Sequence, residues 1–300
     1  VRSAVITLVA GRHSHLALQR RGLLAGTLQP DLYIVVSMND PGARTVLDHR
    51  APCPDVIDLP CAPGPLPLAR ARNAGAQHAR QAGADLLIFL DVDCIPGPLL
   101  VERYLQVAAG EPDPTVLCGP VAYLPPPPAA GYRLSALPGL GRPHPARPVP
   151  PETGTQSGGD HTLFWSLSFA VHADLWRELG GFCEQYRGYG GEDTDFGQLA
   201  ARHRTALTWV GGAWAYHQYH PVTDPPVQHI GDIIRNASVF YQRWGWWPMS
   251  GWLSEFERRG LIEFDHRTQT WRAARRVPGR FSAPGARPSS SELESGSSQV

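Results

Sequence analysis

Apolar residues gather in short runs separated by stretches of helical period. Residues 4–9, 32–36 and 86–90 are apolar at nearly every position and rich in β-branched residues, the pattern of strands buried on both faces of a sheet. A shorter run, 56–59, reads as a further strand. Between them, 15–28 carries Leu16, Leu23 and Leu24, with a polar break at Gln19 and Arg20, and predicts a surface helix ended by Pro30. Residues 68–82, rich in Ala and Arg, predict a second helix closed by Gly83, where a left-handed residue is needed. The order strand, helix, strand, strand, helix, strand predicts an α/β sheet with crossover helices.

From 124 to 160 the texture changes to recurrent Pro and Gly, which predicts a long surface excursion. Residues 162–171 return as strand and 174–179 as a short helix, and a Gly-rich turn then leads into a helix whose apolar face is Phe196, Leu199, Ala200 and His203. Residues 206–209 and 213–216 read as edge strands. Ile230, Ile233, Ile234, Ala237, Phe240 and Tyr241 define an amphipathic helix, followed by Trp244, Trp246, Trp247 and Trp252. These indoles serve either as core or as a platform for a sugar ring or lipid, with core the commoner use. The expected organisation is one domain over 1–220, a helical Trp-rich extension over 221–274 and a disordered tail over 275–300.

Composition narrows the function classes. The chain has 27 basic and 27 acidic residues, so its formal net charge is zero, which argues against broad electrostatic binding to nucleic acid or anionic lipid. Five cysteines at distant positions, with no signal-peptide pattern, suggest reduced thiols and a cytoplasmic location. No apolar run reaches the length of a membrane span, so any membrane contact is expected to be peripheral, at the cytoplasmic face.

The strand at 86–90 breaks into Asp91 and Asp93. In an extended chain these two side chains point to one side, at the strand end where open α/β sheets bind ligands. Such a pair can hold a hard divalent cation, and through it a diphosphate; it also fits a strand end with solvated acids. Glu192 and Asp193 open a helix between Gly-rich turns, where they act either in a site or as partners of the helix dipole. His217 directly follows a strand and offers a third ligand, with His220 as its substitute.

Four segments in order, Ala71-Arg72-Asn73-Ala74-Gly75, Phe89-Leu90-Asp91-Val92-Asp93, Gly180-Gly181-Phe182 and Gly190-Gly191-Glu192-Asp193-Thr194-Asp195, resemble a GT-A glycosyltransferase of the family 2 type. The likeness spans 1 to about 220, and the Gly-Gly-Glu-Asp segment is similar to the galactosyltransferase and N-acetylgalactosaminyltransferase branch. The resemblance implies a Rossmann-like mixed sheet flanked by helices and a Mn²⁺ or Mg²⁺ cofactor. It places Asp93 on the metal, Asp91 on metal, ribose or donor sugar, and His217 as a late metal ligand. It implies nucleotide contacts at Val9, Gly11, Arg12, Asn39, Asp40, Arg70 and Arg72. Asp193 becomes the base of an inverting transfer and Glu192 a partner of the donor sugar, while acceptor contacts fall to Tyr189 and Trp165. The implied donor is a nucleotide sugar, most simply UDP-linked, with galactose or an N-acetylhexosamine among the hexoses. The acceptor is a hydroxyl of a glycan, lipid carrier or small metabolite. Three positions depart from the pattern: Tyr189 replaces a frequent Trp, Ser168 a frequent Asn, and Ser37-Met38-Asn39-Asp40 a common Asp-Asp-Gly turn. A sugar nucleotidyltransferase, or a glycan-binding protein on the same scaffold, are the competing readings. The first wants a Gly-rich basic loop after the first strand, for which Ala10-Gly11-Arg12 is a poor match.

Overall fold

The computed structural model describes residues 1–110, 114–221 and 223–274; the tail expected over 275–300 lies outside the described residues. The chain begins β1 (Ser3–Val9), α1 (His13–Leu24), β2 (Leu32–Met38), β3 (Pro54–Leu59), α2 (Leu68–Gln81), β4 (Leu86–Leu90). It continues β5 (Cys94–Pro96), α3 (Leu100–Gly110), β6 (Thr115–Cys118), β7 (Val121–Tyr123), α4 (Leu137–Leu140), β8 (Arg142–Pro143), β9 (Thr155–Ser157). Then come β10 (Ser168–His172), α5 (Ala173–Leu179), α6 (Glu192–Arg202), β11 (Ala206–Val210), β12 (Ala215–His217), α7 (Ile230–Trp244), α8 (Ser250–Arg258), β13 (Ile262–Asp265) and β14 (Thr270–Ala273).

The main sheet has eight strands in the order β3-β2-β1-β4-β10-β6-β11-β9. β1, β2, β3 and β4 are parallel, and β10 runs antiparallel to β4 and to β6. Strand alternation divides the core in two. Ile6, Ile34, Leu87 and Phe89 face one side, and Val5, Val35, Leu86 and Ile88 the other. A second sheet, β5-β12-β7-β8, stands at the carboxyl end of β4, with β12 antiparallel to β5 and parallel to β7.

Several elements differ from their sequence patterns. Gln19 and Arg20 are not a polar break on a surface face: both are buried. Arg20 bonds Asp48 and the carbonyls of Arg50 and Pro52, which replaces part of its lost hydration, while its Nη1 has no partner among the described residues. The excursion at 124–160 is not structureless, since it contributes α4, β8 and β9, and β9 completes the main sheet. β11 therefore lies between β6 and β9 rather than at an edge, and β12 is interior to the second sheet. The strand expected at 162–171 shortens to β10, preceded by a 3₁₀ turn at His161–Leu163 whose entry is capped by Asp160. The C-terminal extension adds a hairpin, β13–β14, to its two helices and has its own small core of Ile233, Ala237, Leu253, Phe256 and Ile262.

Gly75 explains how close α2 lies to the sheet. A Cβ there would sit 2.5 Å from Ile6 Cγ2 and 3.1 Å from Val36 Cγ2, both fixed in strands. Gly75→Val is expected to lower stability by about 1–3 kcal/mol, the usual cost of overpacking a closed core, measured by urea unfolding. An unchanged midpoint would mean that the helix sits farther from the sheet.

Candidate active site

The carboxyl ends of β1, β2 and β4 form the floor of the site, and buried Gln19 ties β1, the start of β2 and the end of β4 together. Its Oε1 accepts from Thr7 Oγ1 at 2.9 Å and Tyr33 Oη at 3.1 Å, and its Nε2 donates to the Asp91 carbonyl at 2.7 Å. β4 ends at Leu90, and the Cys94 N–H bonds the Asp91 carbonyl at 2.8 Å to close a turn over Val92 and Asp93. The extended-chain expectation for the two acids therefore fails: the turn sends their carboxylates to different partners.

Asp93 faces the second sheet. Its Oδ2 accepts from Arg12 Nη1 at 2.7 Å and its Oδ1 lies 2.5 Å from His15 Nδ1. The β12–β5 pairing sets His217 opposite Cys94, and buried Gln218 donates its N–H to the Asp93 carbonyl at 2.7 Å. Ligand atoms of Asp93, His217 and His220 consequently lie within 4.8 Å of one another, a mixed carboxylate and imidazole set that fits a divalent cation. Asp91 is not in this cluster. Burial pushes His217 down from 6.5 to about 4, against the pull of Asp93, so the ring is neutral and its lone pair available near pH 7. The Asp93 carboxyl lies below its ordinary value: the hydrogen bond from His15 and the Arg12 charge outweigh its burial.

Asp91 faces the other way. Its Oδ1 lies 3.2 Å from Arg72 Nη2, and Arg72 Nη1 also bonds Glu192. Arg72 is buried and rests 5.1 Å over the Phe182 ring. Beside it, Asn73 clamps the Phe182 backbone, accepting its N–H and donating to its carbonyl at 2.9 Å each. Arg72 and Asn73 thus join the β4 end, the Gly-Gly-Phe turn and the Glu-Asp helix. Burial raises Asp91 to about 6 and Glu192 to about 7, with Arg72 opposing both shifts. Asp193 Oδ2 accepts the Ser166 N–H at 3.0 Å, while its Oδ1, like Glu192 Oε2, is buried with no protein partner among the described residues. Both atoms are sealed from solvent, so a substrate reaches them only when the groups covering them shift. Asp195 instead is structural, tied to Tyr186, Arg243 and Trp244.

The remaining sequence-predicted residues ring this floor. Val9 is buried in the core and leaves only its backbone for a ligand. Gly11, at φ +67°, donates its N–H to Asp40, which also bonds His13. Asn39 spends its side chain on both backbone groups of Cys61, and exposed Arg70 points at the Pro60 carbonyl at 3.4 Å. Tyr189 is 41% exposed and stacks on His229 and Trp252, so the C-terminal extension supplies an aromatic shelf at the Gly-Gly-Glu-Asp turn. Trp165 is half-buried, edge-on to His144. A cavity of about 520 Å³, lined by Trp214 and Tyr216 among others, lies apart from the acids. Residues missed in the sequence are Gln19, His15, Gln218 and Ser166. The first three are polar residues within otherwise ordinary patterns, and Ser166 contributes only a backbone N–H, which leaves no side-chain signal.

The mixed α/β sheet flanked by helices is the fold shared with solved GT-A-like glycosyltransferases. No family model matches the chain. It is similar, at 28% identity over 207 residues, to the validoxylamine A glucosyltransferases of two Streptomyces hygroscopicus subspecies, jinggangensis and limoneus; the match covers 59% of this chain and 44% and 41% of theirs. The chain thus spans less than half of those relatives. Among solved structures, Pyrobaculum calidifontis mannosyltransferase PcManGT, in complex with GDP-Man and Mn²⁺, superposes with TM-score 0.54 at 13% identity, covering 82% of this chain and 66% of that one. TarS of S. aureus, residues 1–349, superposes with TM-score 0.52 at 15% identity, covering 73% and 60%, and was also solved with UDP-GlcNAc. Among the described residues, no helix is long and apolar enough to cross a membrane.

The sign of the His217 shift gives a test. A ring whose folded pKa is depressed contributes stability above its unfolded value of 6.5, and that stability is lost as pH falls towards 4. In chelator, the wild type is expected to lose more melting temperature between pH 7 and 4.5 than His217→Asn. Equal losses would mean that the ring is hydrated and charges freely.

Proposed function

We propose that the chain is a metal-dependent, inverting glycosyltransferase of the family 2 type, moving a hexose from a nucleotide diphosphate sugar to an acceptor hydroxyl. One observation carries the reading: Arg72 bonds both Asp91 and Glu192, which ties the end of β4, next to Asp93, to the start of α6, next to Asp193. The similarity to named glucosyltransferases and a mannosyltransferase supports the reaction class. The neighbours' UDP-GlcNAc and GDP-Man support a nucleotide-sugar donor, with UDP preferred here.

In this mechanism Asp193 accepts the proton of the acceptor hydroxyl through its unpartnered Oδ1, and the Ser166 N–H fixes the carboxylate through Oδ2. As the acceptor oxygen bonds the anomeric carbon, the bond from that carbon to the diphosphate breaks and its electron pair leaves on the phosphate oxygen. A single base opposite the leaving group gives inversion, as in inverting hydrolases. Glu192 Oε2 takes a donor-sugar hydroxyl, and Arg72 holds Glu192 and Asp91 in place. Asp93, His217 and His220 would hold a divalent cation, which would supply charge neutralisation for the departing diphosphate. Tyr189, on its shelf of His229 and Trp252, stacks on the acceptor.

Asp193→Asn is expected to reduce transfer about 10²–10⁴-fold, the usual contribution of a positioned base, while the nucleotide still binds. Wild-type transfer by that variant would remove the assigned base. Asp93→Ala should abolish metal-dependent nucleotide binding in calorimetry; unchanged metal-dependent binding would place the cation elsewhere. Release of pyrophosphate from a nucleoside triphosphate and sugar phosphate would favour a nucleotidyltransferase instead.

A further inference from the structure

Arg147, carried by the stretch between β8 and β9, plays no part in the network above. It is 7% exposed, and its guanidinium carbon lies 5.1 Å from the Trp165 ring centre and 4.8 Å from that of Trp209. Nε, Nη1 and Nη2 are all buried, and none has a hydrogen-bond partner among the described residues. The Nε1 of Trp209 is buried and unpartnered as well.

Arginine and tryptophan side chains only donate, so no rearrangement of these two can satisfy either. The indole faces offset part of the cost of burying the cation, but they leave its N–H groups without an acceptor. What the site lacks is an acceptor carrying negative charge, and the planar fork of a guanidinium matches a phosphate or carboxylate.

The position points to the acceptor side of the cleft. Trp165 directly precedes Ser166, whose N–H holds Asp193. On its other side Trp165 leads through His144 and Tyr123 to His217, with successive ring centres 4.7, 6.4 and 5.1 Å apart, so the pocket lies between Asp193 and the Asp93 cluster. We propose that Arg147 and Trp209 Nε1 form an oxyanion subsite that binds a phosphate or carboxylate group of the acceptor. This rests on Asp193 being the base of a glycosyl transfer. Because the four nitrogens are sealed from solvent, covering side chains shift as the anion enters, and it then meets donors already stripped of water.

The test is thermal unfolding of the full chain, wild type, Arg147→Met and Arg147→Lys, in chelator. Probes are inorganic phosphate, glucose 6-phosphate, glucuronate and neutral glucose; UDP with Mn²⁺ is a separate arm for the donor site. Wild type is expected to melt higher with the anions and not with glucose. A stronger response to glucose 6-phosphate than to glucuronate assigns a phosphate, and the reverse a carboxylate. In Arg147→Met the midpoint concentration of the anion response rises at least about tenfold, as loss of a charge-assisted pair implies. Arg147→Lys retains a weaker response. Arg147→Met without ligand melts no lower than wild type, because a buried unpaired charge has been removed. A lower melting temperature with an unchanged anion response would make Arg147 a structural cation and overturn the proposal, as would no anion response in wild type. Loss of the UDP response together with the phosphate response would reassign the subsite to the donor diphosphate. No UDP response in wild type strikes the donor reading alone; the subsite then stands or falls on the anion arms.

Discussion

One buried cation holds the cleft together. Arg72 cannot shed its proton, so its burial is tolerable only with anions against it, and Asp91 and Glu192 supply them. That demand explains the local architecture. α2 must lie close enough to the sheet for Arg72 to reach the end of β4, which Gly75 permits by omitting a side chain against Ile6 and Val36. α6 must begin where Glu192 can reach the same guanidinium, and Gly191, at φ +86°, turns the chain into it. With Arg72 neutralised by those two acids, Asp93 and Asp193 remain for other partners.

The two ends of the cleft then divide the labour. Asp93 looks towards the second sheet, with His217 and His220 brought to it by the pairing of β12 with β5. Asp193 looks the other way, one oxygen held by a backbone N–H and the other buried without a partner among the described residues. The C-terminal extension is not a separate appendage to this site. Arg243 and Trp244 bind Asp195 in the helix that carries Asp193, and Asn236 accepts the Arg187 N–H and donates to the Gly190 carbonyl in the Gly-rich turn before it.

Much of the frame was legible in the sequence because buried parallel strands write themselves as unbroken apolar runs: β1, β2 and β4 fall within a residue or two of the runs at 4–9, 32–36 and 86–90. The Gly-bounded acids were legible as motifs, though not as a wired network, since Arg72 and Glu192 are far apart in the chain. Gln19 and Arg20 were misread because hydropathy treats polar residues as exposed, whereas here they carry internal hydrogen bonds. β8 and β9 were hidden because strands of two or three residues take their stability from pairing rather than from their own pattern, and β12 was legible as a strand but not in its interior place. The split of Asp91 from Asp93 was hidden because strand alternation was extended through a turn.

The most direct test of the central claim is a thermal-shift series of nucleoside diphosphates and their sugars on metal-free protein, with and without Mn²⁺. A ligand that binds the native state raises its melting temperature by mass action. A rise with a nucleoside diphosphate, UDP foremost, is expected only when Mn²⁺ is present, and is expected to be lost in Asp93→Ala. No rise with any diphosphate, in folded protein and with metal supplied, would contradict it.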